Sequence, residues 1–164
     1  MEQQVAPNSR ISGTQVLLYV LTVAWAALIF YLSTATFGTE FSESLLGREL
    51  AIFHFTVSAM TFQYLDTLQR KIAHMIVYGV FAALLYGTLG THESLRQRQR
   101  RMIWCVLIAG AYALTDEYHQ SFVPGRNASI ADCGIDIAGA TFSLLIVNQC
   151  RQVLQKVTRT VTFL

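Results

Sequence analysis

Residues 11–39 read ISGTQVLLYVLTVAWAALIFYLSTATFGT, without one Asp, Glu, Lys or Arg. A bilayer hydrocarbon core about 30 Å thick needs only about 20 such residues in a helix, so this stretch alone predicts a membrane span. Hydrocarbon offers backbone N–H and C=O groups no partners, and a spanning segment must satisfy them within its own helix. The whole 164-residue chain suits the same solvent: 53% of it is hydrophobic and only 13% charged, where a soluble domain carries about 25% charged residues. With the first span placed at residues 15–37, three further apolar segments follow at 72–90, 102–121 and 130–150. Four segments are too few to close a barrel. The predicted fold class is all-α, an integral membrane bundle of four transmembrane helices, with a tail at 1–14, a transmembrane domain at 15–150 and a second tail at 151–164.

Of the 12 Lys and Arg residues, eight fall in the two tails and the loop after the second span, and four in the other two loops. The positive-inside rule then places both termini in the cytoplasm, with Arg96, Arg98, Arg100 and Arg101 as a cytoplasmic anchor. A net charge of +2 with clustered basic residues gives no nucleic-acid footprint. Cys105, Cys133 and Cys150 are widely spaced and form no disulfide or C-x-x-C framework. The first apolar stretch is longer than a signal-peptide core and lacks an A-x-A exit, so it is expected to be retained. Residues 50–65 are apolar but short, and His54, Ser58, Thr61 and Gln63 interrupt them. They predict a short extracytoplasmic helix lying in the interface, a fifth span being the alternative. Pro124-Gly125 marks a turn that makes the last two spans an antiparallel hairpin.

Ionisable groups inside membrane helices cost at least about 2.5–3.5 kcal/mol each and call for a partner or a role. Here they gather at one end of three spans: Lys71, His74 and Tyr78 at the start of the second, Asp116, Glu117, His119 and Gln120 at the end of the third, Asp132 and Asp136 at the start of the fourth. Lys71, His74 and Tyr78 follow an i, i+3, i+7 spacing and Asp132, Asp136 and Gly139 an i, i+4, i+7 spacing, so each set forms one helical stripe. Three helices can therefore share one polar pocket at one depth, or the same groups can simply hold the helices together by hydrogen bonds. Four acids, Asp116, Glu117, Asp132 and Asp136, face two cations, Lys71 and Arg126. The excess calls for a raised carboxylate pKa, a protonated His74 or His119, a metal cation or a cationic substrate group.

No H-E-x-x-H or cysteine ligand set is present, so no metal site is assigned and the sequence leaves cofactors unknown; Asp116, Glu117 and His119 with Asp132 or Asp136 are the loose metal-binding alternative. Arg126 offers a fork of donors suited to phosphate or carboxylate, against the plainer role of pairing with Asp132 or Glu117. Glu117, His74 and His119 are the candidates for acid–base catalysis.

Phe30-Tyr31-Leu32-Ser33, Lys71-x-x-His74-x-x-x-Tyr78, and the run from Asp116 through Arg126 (DEYHQSFVPGR) followed by Asp132, Asp136 and Gly139 resemble the VanZ-like family of small bacterial membrane proteins, named for a teicoplanin-resistance protein. The family pattern usually has Asn where this chain has Asp136, and often Gly at Ser143. The resemblance implies a multi-pass protein of the bacterial cytoplasmic membrane with a role in the cell envelope and, for some members, low-level resistance to a lipid-tailed glycopeptide. Lys71, His74, Tyr78, Asp116, Glu117, Gln120, Arg126, Asp132 and Asp136 are then expected to bind a membrane lipid or lipid-linked envelope precursor. The alternatives are an enzyme acting on such a lipid-linked substrate and a structural, partner-binding bundle.

Overall fold

The computed structural model describes residues 12–90, 94–124, 126 and 128–162; the tail before residue 12 and Gly125 of the turn lie outside the described residues. The described chain is all-α. Helix α1 spans Gly13–Leu32, a 3-10 turn follows at Ala35–Phe37, and α2 (Thr39–Ile52), α3 (Ala59–Thr88), α4 (Leu95–Gln120) and α5 (Ile130–Thr162) complete it. Three starts are written into the sequence as N-cap serines. Ser12 accepts from the N–H of Gln15 and Ser58 from that of Thr61, while Ser94 and Gln97 form a reciprocal capping box, satisfying donors that a helix start leaves without partners.

Helices α1, α3 and α5 are long and apolar enough to cross a membrane, which makes the chain a multi-pass membrane protein. Helix α4 falls short of that measure because Arg96, Arg98, Arg100 and Arg101 at one end and Asp116 and Glu117 at the other flank its uncharged centre, residues 102–115. Helix α5 also runs past the expected end at residue 150, to Thr162.

The segment at residues 50–65 departs from its expected form. It is not one interfacial helix: α2 ends at Ile52, the chain breaks, and α3 begins at Ala59. His54 takes a positive φ of 56°, and the aromatic and β-branched residues Phe53, Phe55, Thr56 and Val57 are weak helix formers. Their apolar content suggested a helix; their side-chain shapes and the Ser58 cap favour a break. Helix α3, at 30 residues, is about 45 Å long and outreaches a hydrocarbon core by about 15 Å.

The seam between α3 and α5 is the tightest in the bundle. A Cβ on Gly139 would lie 2.7 Å from Met75 Cα, and one on Gly79 would lie 3.3 Å from both the Gly139 carbonyl oxygen and Ser143 Cβ. Small residues allow backbones to approach this closely in a membrane, where dispersion and hydrogen bonds drive helix association. Helix α1 is fastened along its length: Gln15 Nε2 donates to the Thr88 carbonyl at 2.6 Å, Trp25 Nε1 to Val77 at 2.9 Å, and Tyr112 hydroxyl to Ala26 at 2.7 Å. Apolar residues such as Leu17, Val20, Val23, Leu107 and Ile146 remain exposed on the outside, while Asp116, Glu117 and Asp136 are buried inside. That inversion suits a protein whose surroundings are hydrocarbon.

Candidate ligand-binding site

The α3–α5 approach sets the first element of the site. One turn from the Gly139–Met75 contact, His74 Nδ1 lies 3.2 Å from Asp136 Oδ1, with the Asp136 side chain sealed from solvent. One helical turn farther along each helix, Lys71 Nζ pairs with Asp132 Oδ1 at 3.8 Å, both partly exposed. The two sequence stripes thus face each other and pair in register, basic on α3 and acidic on α5.

The end of α4 supplies the second element. Asp116 accepts hydrogen bonds from the Ser33 hydroxyl and from Gln120 Nε2, the latter at 3.0 Å, and Gln120 Nε2 also reaches Ser33 Oγ at 3.4 Å. These buried bonds lock the last turn of α4 to the C-terminal cap of α1. Neighbouring Glu117, only 6% exposed, accepts from the Ser129 backbone N–H at 2.6 Å. Ser129 directly precedes α5, so this carboxylate sits where the helix macrodipole favours negative charge. One ligand-capable atom each from His74, Glu117 and Asp136 lies within 4.8 Å of the others.

Arg126 closes the end of the bundle. Its Nη2 donates to the Leu32 carbonyl and, at 3.3 Å, to that of Thr34, fastening the loop between α4 and α5 to carbonyls at the end of α1. This contact with backbone carbonyls is one the sequence did not indicate. Burial lowers the pKa of its guanidinium from the ordinary value, with Asp116 opposing; Nε is buried without a hydrogen-bond partner among the described residues.

Two adjoining cavities, about 180 and about 200 Å³, open around these residues, each well above the roughly 30 Å³ share of one liquid water. The first lies among Ile29, Leu32, Phe37, Phe41, Leu45 and Val77, with Tyr78 and Asp116 also on its wall. The second is polar, between Thr67, Lys71, Ser129 and Asp132. Arg70, His74, Gln120 and Arg126 line both. A molecule with a charged head and an apolar tail matches that division.

The residues 17–151 match the VanZ/LLP1 family model. The chain belongs to the VanZ/LLP1 family. No curated protein and no solved structure matches it significantly. In this VanZ/LLP1 protein the structure brings together eight of the residues singled out in the sequence around the two cavities and the buried cluster: Lys71, His74, Asp116, Glu117, Gln120, Arg126, Asp132 and Asp136, with Tyr78 on the apolar wall. His119 is not among them. Its ring stacks on Phe30 at 4.7 Å between centroids, because adjacent helical positions point in different directions and Glu117 and Gln120 hold the inward face. The loose metal set built on His119 is therefore replaced by one built on His74.

Sequence reasoning passed over Arg70 and Ser33. Arg70 Nε pairs with Asp66 at 3.4 Å and faces both cavities. The signal was an i, i+4, i+8 stripe, Asp66, Arg70 and His74, adjacent to the one built on Lys71. Ser33 stood in the weakest part of the family pattern, and nothing local marked it as the partner of Asp116.

Proposed function

We propose that the Pro124 end of the bundle faces the outside of a bacterial cytoplasmic membrane and binds an amphipathic lipid or lipid-linked envelope precursor. The observation that carries this reading is the pair of adjoining cavities, one apolar and one polar, sharing Arg70, His74, Gln120 and Arg126. Acyl or prenyl carbons fit the first. Lys71, Arg70 and the underused edge of Arg126 suit a phosphate in the second, and Asp132 suits a hydroxyl or amine of the head group. The orientation follows from the excess of basic residues at the opposite end, with α4 as the fourth crossing. Its uncharged centre of about 21 Å is shorter than the hydrocarbon core, but its arginines can extend toward the interface and its acids are covered by protein. Holding a lipid-linked precursor would keep it from a lipid-tailed glycopeptide, which is how such a site supports resistance to teicoplanin.

The test is lipid mass spectrometry of the purified protein, with Arg126→Lys and Lys71→Ala compared at matched abundance. One phospholipid or prenyl-phosphate species is expected to co-purify with the parent and to fall severalfold in both variants, since Lys cannot present a two-pronged fork. Retention of an unselective lipid mixture by all three proteins would overturn the reading.

A further inference from the structure

The buried cluster of His74, Glu117 and Asp136 shares only His74 with the two cavities, and its chemistry points beyond that lipid reading. Glu117 and Asp136 are 6% and 1% exposed, and burying two carboxylates needs compensating positive charge or hydrogen bonds. None of the nearby cations pairs with Glu117 or Asp136 among the described residues: Lys71 pairs with Asp132, Arg70 with Asp66, and Arg126 donates to the carbonyls of Leu32 and Thr34. Asp116 is satisfied by Ser33 and Gln120. Among the described residues Asp136 has only His74 on one oxygen, while its other oxygen, Oδ2, is sealed from solvent with no hydrogen-bond partner. An orphaned oxygen of this kind in a fully buried side chain marks a missing partner.

We infer that His74, Glu117 and Asp136 bind a divalent transition-metal ion of the zinc or manganese class. One imidazole and two carboxylates are a borderline-to-hard donor set suited to those ions. Their ligand-capable atoms lie within 4.8 Å of one another, whereas ligand atoms about 2.1 Å from one tetrahedral ion are about 3.4 Å apart. The His74–Asp136 separation of 3.2 Å already has that spacing, with the ion taking the place of the proton between the two atoms. Two negative charges match one dication. Three helices contribute one ligand each, α3, α4 and α5, so the ion would tie together the elements that build the cavities. Three protein ligands leave a coordination position open. His74 also lines both cavities, which puts that position within reach of an incoming oxygen ligand.

The full chain, purified in detergent and stripped with chelator, is titrated with Zn²⁺ and, separately, with Mn²⁺ followed by electron paramagnetic resonance. One tight equivalent per chain is expected. His74→Gln, Glu117→Gln and Asp136→Asn should weaken binding by more than the roughly 10–100-fold typical of losing an outer hydrogen-bond partner, while His119→Gln and Glu43→Gln leave it unchanged. X-ray absorption on the zinc-loaded parent needs no variant to fold: it should report imidazole and oxygen neighbours near 2.0–2.2 Å and no sulfur. Absence of a tight equivalent, equal loss in the two control variants, or sulfur at about 2.3 Å, which would move the ion to a cysteine, would each overturn the inference. Since the metal alone is the probe, failure of lipid binding leaves this result standing, and the reverse holds too.

Discussion

At the far end of the bundle from Pro124, buried charge is positive and rests on an aromatic ring. Arg101 lies with its Cζ 3.8 Å from the centroid of the buried Tyr86 ring, and Arg151 approaches the same ring at 5.2 Å. At the Pro124 end, buried charge is negative and open: four carboxylates, two cavities and, among the described residues, two acid oxygens with no hydrogen-bond partner. An aromatic face can receive a cation while keeping water out. A carboxylate needs donors, and where the protein supplies too few, space is left for something else to supply them. One end rests its buried cation on an aromatic ring, and the other leaves space beside its buried acids.

The sharpest way to break that contrast lies at the seam beneath the open end. Gly139→Val places side-chain atoms against the Met75 backbone, which neither helix can yield without separating His74 from Asp136. A loss of about 3 kcal/mol or more is expected, read as a lower thermal midpoint in detergent; a variant as stable as the parent would show that the helices are not held this close. Next in size, Asp116→Ala leaves Ser33 and Gln120 without their acceptor at a cost of about 2 kcal/mol. Ser33→Ala combined with it should add little, because both act on one bond, and full additivity in that double-mutant cycle would contradict the coupling.

At the end far from Pro124, Arg101→Met keeps the aliphatic cover over Tyr86 and removes the charge, with an expected cost of about 1 kcal/mol and no change in lipid or metal retention. Altered retention would mean that the two ends are not independent. Smallest of all is Lys71→Ala. Its pair with Asp132 is partly exposed at both partners, so stability should fall by less than about 1 kcal/mol while lipid retention drops severalfold; an equally large stability loss would recast the lysine as structural.

The sequence made much of the open end legible because spacing translates directly into geometry there. Lys71 and His74 on one helix and Asp132 and Asp136 on another share stripes, and the structure pairs them rung by rung. The excess of acids over cations was visible too, and it persists in the buried cluster. What the sequence hid were contacts made across the fold. Nothing near Ser33 announces Asp116, 83 positions away, and the carbonyls that receive Arg126 carry no side-chain identity to read. The chain at residues 50–65 failed for a different reason: hydropathy records how apolar a stretch is, while the break at His54 depends on backbone conformation and on the Ser58 cap.

Arg126 gives the loop between α4 and α5 a latch. Because its guanidinium grips carbonyls at the end of α1, an anion bound as proposed at the other edge of the same group would pull on that grip. Under the proposed lipid reading, filling the polar cavity and a shift at the end of the first helix would then be coupled through one side chain.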